Sequence, residues 1–95
     1  MIGPNTPVHT GEILREEYMV PLGLSAYALA QECHVPRTRI ERLAREETPV
    51  TADTALRLGR YFGTEPEFWM NLQTAFDLAS ADHKVIKAIT PRRAA

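Results

Sequence analysis

The stretch from Leu24 to Leu43, LSAYALAQECHVPRTRIERL, restricts what this chain can become more than any other part of it. Ser25 is an N-cap type of residue, and the short run after it sets Leu29 and Ala30 on one side. Cys33, His34 and Val35 leave room only for a tight turn. The helical pattern resumes at Pro36, a residue suited to a first helical turn. At about 100° per residue, Ile40, Leu43 and Ala44 then cluster on one side. Thr38, Arg42 and Arg45 lie opposite, with Arg37 and Arg39 on the flanks. Two short helices joined by a tight turn, the second of them basic, form a helix-turn-helix, whose second helix is shaped to enter a major groove.

The side chains on that second helix suit the task. Arginine can donate two hydrogen bonds to guanine O6 and N7, and threonine can meet a thymine methyl or a phosphate. Between Val35 and Arg45 there are four arginines and one glutamate, Glu41, although the whole chain has a net charge of −1. The global balance predicts low non-specific DNA affinity, while the local balance predicts a reading face. Arg37, Thr38, Arg39 and Arg42 are the expected base-reading set. The ordinary meaning of such a stripe is a solvated helix face; the cap, the small residue and the turn ahead of it favour DNA.

The rest of the chain supplies a frame for this unit. Its 95 residues suit one domain. Gly3, Pro4 and Pro7 predict an irregular arm over residues 1–8, a helix-turn-helix domain over 9–82 and a tail over 83–95. A first helix is expected from near Thr10, with Ile13, Leu14 and Tyr18 inward; Pro21 disfavours helix at Val20, and Gly23 supplies the turn. The second helix should run to about Glu32 and the third from Pro36 to about Glu46. His34 in the turn is expected at positive φ. Thr51 should cap a fourth helix with Ala55, Leu58, Gly59 and Phe62 inward, stopped by Gly63. Thr64 and Glu67 suggest a capping box for a fifth, reaching about Asp82, with Trp69, Leu72, Phe76 and Ala79 as its buried stripe. Val85 to Ile89 suit either a helix extension or a short strand. The expected fold class is all-α with five helices.

Several function classes are disfavoured. Cys33 is the lone cysteine, so an internal disulfide is excluded and a reducing compartment is expected. The opening residues lack the charged and apolar regions of a signal peptide, and no apolar run suits a bilayer span, so the reading is cytoplasmic. Cys33 and His34 are adjacent while His9 and His83 are distant in sequence, so no metal site is expected. Cys33 reads as a small core residue and His34 as an exposed turn residue. No nucleophile stands beside a base in a recognisable motif, so neither an enzyme nor a cofactor is expected.

HTGEILREEYMVPLGLS, VPRTRIERL and TADTALRLGRYFGTEPEFWMNLQTAFDL together resemble the HigA/VapI antitoxins of the Xre-type, lambda-repressor-like helix-turn-helix superfamily. The resemblance spans about residues 9 to 79, and its most specific part is Thr51 to Leu78. It implies an all-α protein that forms a homodimer, binds palindromic double-stranded operator DNA in its own promoter and neutralises a HigB-type toxin, a ribosome-dependent mRNA interferase. By the family pattern Arg37, Thr38, Arg39 and Arg42 face bases, and Ser25, Tyr27 and Arg45 fall at phosphates. Trp69, Phe76, Val85 and Ile89 are the candidates for a dimer seam.

The departures from that pattern concern grip. Relatives usually have Gln where this chain has Ala26, and Gly where it has His34. They tend to read Arg-Gly-Lys-Arg-Gly where Arg45 is here followed by Glu46, Glu47, Thr48 and Pro49. The two acids are expected to face phosphates, and losing about two phosphate contacts would flatten the salt dependence by roughly 2. Two alternatives therefore stand beside the antitoxin-repressor: a toxin-sequestering module with weak DNA affinity, and a stand-alone repressor without a toxin.

Overall fold

The computed structural model describes residues 7–93, so most of the expected arm at residues 1–8 lies outside the described residues. Every regular element among them is helical.

α1 covers residues 10–22 in three contiguous pieces: α-helical Thr10–Ile13, π-helical Leu14–Met19 and α-helical Val20–Leu22. His9 starts it, its Nδ1 accepting the Gly11 N–H at 2.9 Å. Val20 is helical, against the expectation from Pro21. In the π segment the Val20 N–H reaches back to the Arg15 carbonyl, five residues away. The wider turn accommodates the Pro21 ring where a regular α turn would drive it against the preceding carbonyls. The helix ends at Gly23, whose φ of 63° is left-handed, and the Leu24 N–H closes onto the Met19 carbonyl at 2.9 Å.

α2 spans Ala26–Cys33, with the Ser25 hydroxyl oxygen accepting the Ala28 N–H at 3.0 Å. His34 terminates it at φ 59°, the positive value expected there. α3 spans Arg37–Ala44. Pro36 is its N-cap rather than its first residue, and it ends two residues before Glu46. Glu46 itself adopts φ 65°, and the N–H groups of Glu46 and Glu47 return to the Leu43 and Arg42 carbonyls. α4 spans Ala52–Phe62, between Thr51 and Gly63 as expected.

α5 spans Pro66–Ser80 without the expected capping box. Thr64 is drawn away from the helix start because its Oγ1 accepts the Trp69 indole N–H at 2.9 Å, leaving Glu65 as an N-cap with no side-chain bond. Ala81 is extended and breaks the helix, and α6 follows at His83–Lys87, capped by the Asp82 carboxylate. Of the two forms open to residues 85–89, the structure thus has a short separate helix in place of a strand.

α1 packs on α3 and α5, α2 on α3 and α4, and α4 on α5. Leu14, Leu29, Ile40, Leu43, Leu58 and Trp69 are fully buried where these helices meet. The stripe of α5 differs from expectation at two places. Ala79 is exposed, and Gln73 is buried. The Gln73 Oε1 accepts both the Thr10 hydroxyl at 3.1 Å and the Val50 N–H at 2.8 Å, and its Nε2 donates to Asp77. One amide thereby ties α5 to the start of α1 and to the loop before α4. Replacing Gln73 by Leu would leave a buried N–H and a buried hydroxyl without partners, each costing about 1–3 kcal/mol. A loss of roughly 2–4 kcal/mol in urea unfolding is expected; a loss below about 1 kcal/mol would show that the two groups find other partners.

Candidate nucleic-acid interface

α3 is fixed from behind. Ile40, Leu43 and Ala44 are buried against the core, and α1 approaches so closely that a Cβ on Gly11 would stand 1.7 Å from the Leu43 carbonyl oxygen. Arg15 of α1 donates to the Ala44 carbonyl, satisfying an acceptor at the C-terminal end of α3. The opposite side of α3 faces outward. Arg37, Thr38, Arg39 and Arg42 are all exposed, so the structure gathers the expected base-reading set on one rigid helix surface.

The expected phosphate residues are exposed as well. The Ser25 oxygen is occupied as the cap of α2, but its hydroxyl proton remains available to an outside acceptor. Tyr27 accepts from the Gln31 amide through its hydroxyl at 3.0 Å. Arg45 follows directly on α3 and is exposed.

Three of the four arginines face carboxylates of the chain itself. Arg37 Nε lies 3.5 Å from Glu41, and Arg42 Nε lies 3.7 Å from Glu47. Arg39 pairs with Asp53 in the first turn of α4. The Arg37–Glu41 and Arg42–Glu47 pairs, long and exposed, contribute about 0–1 kcal/mol each, so a phosphate or a guanine edge can displace them. Glu46, expected to face phosphate, is turned toward α1, where its carboxylate meets Arg15 at 3.1 Å. The opposing charge at that position is therefore partly neutralised within the fold.

Asp53 and Arg57 belong to this surface, and neither is among the expected site residues. The same Asp53 oxygen that meets Arg39 accepts Arg57 Nε at 2.9 Å. Arg57 Nη1 donates in turn to the Cys33 carbonyl at 2.8 Å and the His34 carbonyl at 3.3 Å, at the C-terminal end of α2 where the turn begins. The Arg57 and Arg39 guanidinium groups hold the Asp53 carboxyl below the usual carboxylate range. An acid followed four residues later by an arginine on a helix was the available signal. Burial pushes the Cys33 thiol up, keeping it neutral, as suits a core residue.

Among the expected seam residues the structure separates two groups. Trp69 has no exposed surface; Tyr18, Phe68 and Phe62 surround it within the protomer, with ring centroids 5.0, 5.0 and 6.3 Å away. A side chain without accessible surface cannot meet a partner, so Trp69 is corrected to a core residue. Phe76 is half-buried, edge-on to His9. Val85 and Ile89 are 62% and 64% exposed, and Ile86 lies between them.

Among the described residues no group of three or more His, Cys, Asp and Glu side chains is arranged to hold a metal, and no helix is long and apolar enough to cross a membrane. A basic helix held over a tight turn by a small helical core defines a helix-turn-helix regulator of the DNA-binding class. The Helix-turn-helix family model matches residues 14–69. The chain is 55% identical over 86 residues to Virulence-associated protein I of Dichelobacter nodosus, covering 88% of this chain and 80% of that protein. Among solved structures it is similar to the Pseudomonas aeruginosa antitoxin HigA with the higBA promoter, with a TM-score of 0.86, 43% identity, and coverage of 90% of this chain and 97% of that one. It is equally similar to antitoxin GraA in complex with its operator, with a TM-score of 0.86, 44% identity and 93% of each chain covered. The chain belongs to the Xre-type helix-turn-helix family, among the HigA/VapI antitoxins.

Proposed function

We propose that this chain is an antitoxin that binds operator DNA as a two-fold dimer, represses its own promoter and neutralises a HigB-type mRNA interferase. The observation behind the DNA half is the outward face of α3, with Arg37, Thr38, Arg39 and Arg42 exposed on a helix whose other side is locked in the core. The promoter in the Pseudomonas aeruginosa structure supports the same reading. Ser25, Tyr27 and Arg45 take the phosphate-contacting role. The domain at 9–82 supplies the reading head and the tail at 83–95 the seam. Val85, Ile86 and Ile89 of the tail are exposed apolar side chains that a second copy would cover. A dimer would set two α3 helices about 34 Å apart, one turn of DNA.

Arg37→Ala is expected to weaken promoter binding by about 1–3 kcal/mol and to relax base preference at one position. Gel shifts on the gene's own promoter and on base-substituted duplexes measure both; unchanged affinity and preference would remove Arg37 from the reading set. Co-purification with the product of the neighbouring gene tests the toxin half.

A second reading has an observation in its favour. Glu41, Asp53 and Glu47 each stand against a reading arginine, which suits a module that sequesters a toxin and holds DNA weakly. No sequence-selective shift even at low salt, with toxin binding intact, would select it. Absence of any toxin-like reading frame beside the gene would instead select a stand-alone repressor.

A further inference from the structure

We infer that Asp53 is a specificity-determining residue of the DNA interface: it holds Arg39 in position for a base edge and opposes its use as a free cation on phosphate. This rests on the reading of α3 as the base-reading helix. The Asp53 carboxylate is not a loose surface charge. Its Oδ2 is fixed by Arg57 Nε at 2.9 Å, and Arg57 is itself anchored by two carbonyls, Cys33 at 2.8 Å and His34 at 3.3 Å. Those carbonyls belong to the turn of the helix-turn-helix. The group that grips Arg39 is thus braced against the same turn that sets the angle of α3. Among the described residues, Arg37 and Arg42 have only longer contacts, to Glu41 at 3.5 Å and Glu47 at 3.7 Å.

The donor arithmetic of the guanidinium follows. Asp53 engages Nη1 of Arg39. Among the described residues its Nε and Nη2 have no hydrogen-bond partner, and two parallel donors are what guanine O6 and N7 require. A guanidinium already oriented loses less freedom when it docks on a matching base. A phosphate makes no such demand on orientation, since any nearby cation attracts it. At every DNA sequence the Asp53 charge repels the backbone, whereas the orientation it imposes is favourable only where the base matches. The two effects together widen the gap between operator and other DNA.

The test uses Asp53→Asn in the full chain, titrated over a salt series against a duplex of the gene's own promoter and a scrambled duplex of equal composition. Asn removes the charge and leaves one neutral amide oxygen to be shared by Arg57 and Arg39, a weaker acceptor that loosens the grip on Arg39. The scrambled duplex should bind more tightly, with its salt dependence steeper by about 1. The ratio of promoter to scrambled affinity should fall roughly tenfold, the order expected for one bidentate base contact. In an Arg39→Ala background the same substitution should no longer change the ratio. Asp53→Glu, which keeps the charge, should keep the wild-type salt dependence. Thermal unfolding of each variant confirms that the comparison is between folded proteins. Equal tightening on both duplexes would make Asp53 a bulk charge and overturn the inference, as would an unchanged ratio. Absence of selectivity in the unsubstituted protein would overturn the base-reading assignment, and this inference with it.

Discussion

Gly11→Ala is expected to cost about 3 kcal/mol or more, at the upper end of overpacking substitutions. For a domain of this size that corresponds to a fall in the unfolding midpoint of about 12 °C or more. The added Cβ would lie 1.7 Å from the Leu43 oxygen and 2.9 Å from its carbonyl carbon. Both atoms are backbone of α3, so no side-chain rotation relieves the clash, and α1 must withdraw. The gain in helix propensity from Gly to Ala is only about 0.5–1 kcal/mol and does not offset it. Withdrawal also loosens the support behind the exposed arginines, so promoter binding should weaken in the protein that remains folded. Circular dichroism melting measures the first effect and gel shifts the second. A midpoint within a few degrees of the unsubstituted protein would mean that α1 and α3 can part without loss.

Trp69→Ala is expected to cost about 3–5 kcal/mol, the range for removing a large buried aromatic. Total stability for a domain is about 5–15 kcal/mol, so much of the population would be close to unfolding. Trp69 is fully buried between α5, α1 and α4, and its indole N–H reaches Thr64 at 2.9 Å. Urea unfolding should show a lower midpoint with a slope close to that of the unsubstituted protein. A cost near 1 kcal/mol would instead mean that the neighbouring rings collapse into the space.

The two substitutions probe what sequence reading handled unevenly. Ser25, Thr51 and Gly63 act within a few residues of themselves, and each was legible as a cap or a stop. The periodic burial of Ile40, Leu43 and Ala44 was legible for the same reason. Thr64 was misread because its hydroxyl has a partner five residues on that competes with the local capping box. Pro21 was misread because the π segment Leu14–Met19 ahead of it removed the clash that proline normally brings. Gln73 went unseen because a polar residue in an apolar stripe is explained only by its partners, and Thr10 is 63 positions away.

The interface divides in the same way. That α3 is basic, and that Arg37, Thr38, Arg39 and Arg42 share its outer side, was fixed by residue type and helical period alone. What each arginine meets was not. Asp53 comes from another helix, Arg57 reaches the turn through two carbonyls, and Glu46 swings to Arg15 instead of the DNA side.

Sequence by itself determined that this chain forms a helix-turn-helix with a cationic second helix, since caps, turns and amphipathic periods act over fewer than about five residues. Tertiary structure alone decided which carboxylates stand against those cations, which aromatic ring is lost to the core and which apolar side chains remain exposed on α6. Those outcomes depend on distances between residues far apart in the chain, and only the packing of α1, α4 and α5 around α3 sets them.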